Sequence, residues 1–181
     1  MENWLTNTCE YDVAHLTEAV RAQFRESQRT KNLVLGILAV GMLIFSLCGL
    51  LIRGDDKYRF SVLLSAVMIV LLVYTNLALP GKAAKSQAAR IREANGGSRF
   101  HFAFREEGLV LVPPSGEESA PIPCGSFSKL MQTQNLILIF TEEKKMLLLD
   151  RARFQHGTEA DFWKLMGEKC PAALPKKRRD S

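Results

Sequence analysis

Two long stretches without a charged residue govern what this chain can become. Residues 32–52 form a run of 21 residues and residues 60–81 a run of 22. A helix rising about 1.5 Å per residue needs about 20 apolar residues to cross roughly 30 Å of hydrocarbon, so each run is long enough. The first holds seven Leu, three Ile, two Val and a Phe. The second, FSVLLSAVMIVLLVYTNLAL, carries Ser61, Ser65, Thr75 and Asn76, polar groups that a helix holds near an interface or against another helix. Buried helices of a soluble bundle would show a polar stripe at the helical period, and neither run has one. The pattern predicts a transmembrane hairpin over 32–81, with helices at 32–52 and 60–80 joined by RGDDKYR (53–59).

Lys and Arg near the helix ends set the orientation. Arg21, Arg25, Arg29 and Lys31 precede the first run, and Lys82, Lys85, Arg90 and Arg92 follow the second. These eight face Arg53, Lys57 and Arg59 in the link, so both termini are expected in the cytoplasm. No cleaved signal peptide is expected, because a mixed-charge segment precedes a run too long for an h-region. Cys9, Cys124 and Cys170 then face a reducing compartment. No C-x-x-C pair exists, so neither a zinc site nor a redox motif is expected.

The net charge of +5 is not spread over a folded face. Residues 98–175 carry nine Lys/Arg against ten Asp/Glu. The excess lies at Lys82, Lys85, Arg90 and Arg92 and in the tail Lys176, Lys177, Arg178 and Arg179. A nucleic-acid reader would place its basic face within the folded domain, so no nucleic-acid partner is expected. The same eight residues are candidate contacts with an anionic membrane surface, each contributing about 1 kcal/mol close to it.

Around the hairpin the chain reads as an α+β protein. Residues 1–31 form an N-terminal segment whose stretch 11–29 is an amphipathic helix with Val13, Leu16, Val20 and Phe24 on one stripe. Residues 82–97 read as a basic helical linker stopped by Asn95-Gly96-Gly97. From residue 98 the period changes to two. RFHFAF (99–104), LVLV (109–112), a short strand near 117–122, SFSKLMQT (126–133), LILIFT (136–141) and KMLLLD (145–150) form an antiparallel meander. TEADFWKLMGEKC (158–170) opens with Thr158 and Asp161 in capping-box order. Its Phe162, Leu165 and Met166 are expected to close the sheet. The β domain is thus expected over 98–173, followed by a basic flexible tail over 174–181.

This order of parts resembles the bacterial YcxB-like family. The segment LLLDRARFQHGTEADFWKLM carries the best local match, with Leu149, Arg151, Phe154, Gly157, Thr158, Phe162 and Leu165 on the family pattern. APIPCGSFSKL resembles the family's Ile-x-aromatic strand, and the chain departs from the pattern at Cys124 and Asp150. The resemblance implies a pleckstrin-homology-like (PH-like) cytoplasmic domain and placement in a bacterial cell membrane. It brings in no catalytic residue.

No constellation for chemistry stands out. His15, His101 and His156 lack metal-ligand spacing, and His101 alternates with phenylalanines as a solvent-facing strand residue. There is no phosphate loop and no G-x-S-x-G elbow. Glu106-Glu107, Glu117-Glu118 and Glu142-Glu143 fall in turns. Neither apolar run carries a charge, so a proton or ion pathway lacks its usual mark. Neither a cofactor nor an enzymatic activity is expected. The expectation is a membrane-anchored binding or scaffold module for a peptide, lipid headgroup or partner protein. The alternative is an accessory or regulatory subunit of a membrane transporter or enzyme, acting through the hairpin. Homo-oligomerisation is left open.

Overall fold

The computed structural model describes residues 5–53 and 56–174. The tail residues Lys176, Lys177, Arg178 and Arg179 lie outside the described residues. The chain divides into two compact units, Val20–Ala83 and the residues on either side of that segment.

The first unit is the middle of two long helices, α1 (Val13–Arg53) and α2 (Asp56–Asn95). Both are long and apolar enough to cross a membrane, over Thr30–Ile52 and within Tyr58–Asn95. Only 11% and 6% of the residues in their most apolar windows are buried. Leu51, Phe45 and Phe60 stand open on the surface. In water such exposure would forfeit most of the hydrophobic stabilisation that folds a soluble helix.

The helices are longer than the segments expected from the sequence. The amphipathic stretch and the first apolar run are one helix, and the basic linker continues the second. α2 runs through Pro80, whose missing N–H leaves the Asn76 carbonyl without its helical donor. It stops where expected, at Asn95, with Gly96 turning left-handed at φ 67°. The expected stripe on α1 is only half buried: Leu16 and Val20 are covered, whereas Val13 and Phe24 are exposed.

The second unit is built from antiparallel strands. Among the described residues one sheet has the order β3 (Gly108–Val112), β2 (Arg99–Arg105), β1 (Leu5–Glu10), β7 (Phe154–His156). The other has the order β4 (Phe127–Gln132), β5 (Leu136–Thr141), β6 (Met146–Asp150). The expected alternation on β2 holds for Phe100, Phe102 and Phe104, which are buried, and for Arg99 and His101, which are exposed. β5 is buried from Leu136 to Ile139, a continuous run with no exposed face.

The strand β1 corrects the expected domain limits. The sequence pattern places residues 1–31 in a helical segment and the β domain over 98–173, yet Leu5–Glu10 sits between β2 and β7, with Leu5 opposite Phe104 and Glu10 opposite Arg99. Its buried positions include Asn7 and Thr8, so no apolar alternation marks it. Asn7 is satisfied inside: its Nδ2 donates to the Asp150 carbonyl at 2.7 Å, and the Asp150 N–H donates to its Oδ1 at 3.1 Å. The Tyr11 hydroxyl accepts the Leu148 N–H at 2.8 Å. Two side chains from the β1 end of the chain thus tie the four-stranded sheet to β6 of the other.

Two smaller differences follow from backbone chemistry. The strand expected near 117–122 is reduced to one bridge, Leu109 to Ile122, because Pro121 and Pro123 cannot donate to a ladder. Gly108, at φ 141°, admits this approach, since a β-carbon there would collide with the Ile122 carbonyl. β7 was not anticipated, being only three residues with a half-buried Phe154.

Helix α3 (Glu159–Lys169) begins as the sequence indicates. The Thr158 N–H donates to Asp161 Oδ2 at 2.8 Å, and the Asp161 N–H donates to Thr158 Oγ1 at 3.3 Å, completing the capping box. Phe162 and Met166 are fully buried, while Leu165 is half-buried. The Phe162 ring lies edge-on to Phe104 at 5.6 Å and 6.1 Å from Phe154. Arg151 fixes the helix start: its Nε donates to both Glu159 carboxylate oxygens at 3.0 Å, and its Nη1 donates to the Thr133 and Gln134 carbonyls.

Candidate functional site

Within Val20–Ala83 two sets of polar side chains bond between the described parts of the helices. In one, Ser46 Oγ donates to Ser61 Oγ at 2.9 Å and Ser65 Oγ donates to the Ser61 carbonyl at 2.8 Å. Ser46 and Ser65 are both buried, as is Ala39. The small-xxx-small spacing of Ser61 and Ser65 therefore serves close helix approach. Gly49 acts alike, because a β-carbon there would meet the Tyr58 ring.

In the other, Asn32 Nδ2 donates to Asn76 Oδ1 at 2.8 Å across the two helices. Asn76 Nδ2 and Thr75 Oγ1 each donate back to the Leu72 carbonyl, the structural bonding expected of them. Beside the amide pair runs an apolar groove of about 400 Å³, lined by Gly36, Val40, Ile69, Val73 and Leu77 among others. Lys82 Nζ donates to the Tyr74 hydroxyl at 2.9 Å and lies 5.4 Å from the ring centroid. The lysine thus closes the apolar run with a hydrogen bond and a cation–ring contact. The sequence did single out Asn76 but not its partner. The signal was there, since Asn32 and Asn76 are the one carboxamide in each apolar run.

Of the candidate surface cations, Lys82, Lys85, Arg90 and Arg92 are exposed on α2. They are not brought to one face: at about 100° per residue Lys85 and Arg92 align, and Arg90 lies on the far side of the helix.

Several titratable side chains of the β unit are engaged in structure. His101 Nδ1 lies 3.0 Å from Thr8 Oγ1, and His15 Nδ1 lies 2.8 Å from the Glu10 carbonyl. Glu118 receives both Arg105 amino groups at 2.9 Å, and this bonding holds its carboxyl below the usual range. Glu143 pairs with Lys145 at 2.8 Å. Among the described residues no group of three His, Cys, Asp or Glu could hold a metal ion. Burial raises the thiol of Cys9 and the phenol of Tyr11, so both stay protonated. Glu18 holds the β4–β5 turn by accepting the Asn135 N–H at 2.8 Å and its side-chain amide at 2.9 Å. Burial pushes the Glu18 carboxyl up, but these bonds and one from Thr133 outweigh it, leaving it below its ordinary value.

No protein-family profile, no curated protein and no solved structure matches this chain.

Proposed function

We propose that the protein is an integral membrane protein of two spans, anchored in a bacterial cell membrane. Its β unit then serves as a binding or scaffold module in the cytoplasm for a peptide, lipid headgroup or partner protein. One observation carries the reading: the apolar windows of α1 and α2 are left almost wholly uncovered by the rest of the chain. Hydrocarbon is the medium in which that surface costs nothing. The eight-to-three distribution of flanking Lys and Arg supports cytoplasmic termini. Antiparallel sheets of four and three strands with a C-terminal helix support a PH-like domain and the YcxB-like resemblance.

Lys82 and Lys85 are the better surface contacts. Counted from Gly81 at about 1.5 Å per residue, they stand roughly 2 and 6 Å along the helix axis, inside a headgroup layer about 5–7 Å deep. Arg90 and Arg92 stand roughly 14 and 17 Å along it, beyond the Debye length of about 8 Å at physiological salt. The groove beside Asn32 and Asn76 favours, as a second reading, an accessory subunit that engages a larger membrane protein through the hairpin.

Cysteine accessibility tests the proposal. In a background without native cysteines, Asp55→Cys should react with an impermeant maleimide on intact bacterial cells, and Glu117→Cys only after the membrane is opened. The opposite pattern overturns the orientation. Release of the protein from membranes by alkaline carbonate overturns the anchoring.

A further inference from the structure

Two cysteines far apart in the chain meet in the β unit. Cys124 opens the turn Cys124–Ser126 that leads into β4, and Cys170 caps the C-terminal end of α3, its N–H donating to the Met166 carbonyl at 2.8 Å. The Cys170 thiol donates to the Cys124 carbonyl at 2.9 Å, across 46 residues. That contact sets the Cys170 thiol beside the Cys124 side chain. Behind Cys170 the turn Pro171–Ala173 lies against β4 with Ala173 buried, so the approach is held from both sides. Both are free thiols in this structure.

We propose that Cys124 and Cys170 are a disulfide-forming pair, joined by a two-electron oxidant of the peroxide class into a bond that fastens the end of α3 to the loop entering β4. Cys124 is the half-exposed member and meets the oxidant, whereas Cys170 is 5% exposed. Burial, reinforced by the neighbouring Cys124 sulfur, pushes the Cys170 thiol up to about 12, so it keeps its proton until the step that hands it to the departing oxygen. In the first step one peroxide oxygen bonds to the Cys124 sulfur, giving a sulfenic acid and releasing one water. In the second the Cys170 sulfur attacks the Cys124 sulfur. The S–S bond forms, the S–O bond breaks, and the oxygen leaves as a second water with the Cys170 proton. Two thiols and one hydrogen peroxide thus give one disulfide and two waters.

The test uses the full chain in detergent micelles, exposed to hydrogen peroxide, blocked with iodoacetamide, digested and mapped by mass spectrometry without reduction. The expected result is a loss of two of the four thiols. The peptide holding Cys124 should be linked to the one holding Cys170, two hydrogens lighter than their sum, and dithiothreitol should separate them. Cys9→Ser and Cys48→Ser should leave the linkage intact, and Cys124→Ser should abolish it. Should Cys170→Ser fail to fold, the peptide map of the unsubstituted protein decides alone. Cys124 oxidised to a sulfinic acid with Cys170 unlinked overturns the proposal. So does a link from either residue to Cys9 or Cys48, or a native protein in which both thiols survive the oxidant.

Discussion

Asn7 and Asp150 are joined by two hydrogen bonds, 2.7 and 3.1 Å long, in which one carboxamide serves both the C=O and the N–H of the same residue. The side chain imitates a strand neighbour for β6. It does so from a strand that precedes the first membrane-length helix. Asn7→Ala strands a buried donor and a buried acceptor, each costing about 1–3 kcal/mol. The variant should lose about 2–5 kcal/mol of β-unit stability, read from the midpoint of denaturant unfolding in mild detergent. An unchanged midpoint would mean that water takes over both bonds.

A fragment comprising residues 98–174 lacks the strand between β2 and β7 and should not unfold cooperatively. The Tyr11 N–H donates to the Ser98 carbonyl at 2.7 Å, so a loop of about four residues, an ordinary hairpin length, can replace 12–97. Residues 1–11 joined in this way to 98–174 should restore a cooperative melt by circular dichroism. Equal behaviour of the two chains would show that β1 is dispensable.

Truncating Phe162, whose ring meets Phe104 and Phe154, should cost about 3–5 kcal/mol. That approaches the whole stability of a small domain. Leu165→Ala, at a half-buried position, should cost well under half as much. Thermal scans of the two detergent-solubilised variants separate them, and equal losses would contradict the burial.

Ser65 is 1% exposed and Val67 47% exposed. Ser65→Leu forces added volume between close helices, at a cost of about 1–3 kcal/mol, whereas Val67→Leu faces outward and should be silent. Unfolding of the two variants in mixed micelles measures the difference. Equal effects would place Ser65 against lipid.

Acid should loosen the hold of α1 on the β4–β5 turn. The Glu18 carboxyl sits below its ordinary value of 4.5 in the folded chain. Its contribution is therefore complete above about that pH and fades as pH falls through the lower folded value. Stability of the unsubstituted protein minus that of Glu18→Gln should shrink as pH drops from 5 toward 3. A difference independent of pH would mean that the charge on Glu18 is immaterial.

The parts legible in the sequence are those whose residues carry their own period. The apolar runs, the β4–β6 meander and the Thr158–Asp161 cap could be read directly because the stabilising groups lie within each element. β1 could not, since Asn7 and Thr8 are buried polar residues whose partners, Asp150 and His101, are remote in the chain. β7 was too short to show a pattern. In the hairpin, Ser61 and Ser65 announced a close approach, but the Asn32–Asn76 bond depends on the register of two helices, which composition does not specify. The Cys124–Cys170 contact is of the same kind. Neither cysteine has a neighbour in sequence that marks it, and only the return of α3 to the start of β4 brings them together.

The pairing of Glu10 with Arg99 fixes an order of events during synthesis. β1 leaves the ribosome first, yet its neighbour β2 follows only after both long helices have been made. Its other neighbour, β7, is among the last elements to emerge. Until β2 emerges β1 has two open edges, and Asn7 and Thr8 lack their partners Asp150 and His101. The β unit therefore completes only after both long helices have been made, and a nascent chain arrested before Arg99 holds β1 exposed to proteases and chaperones with both edges open.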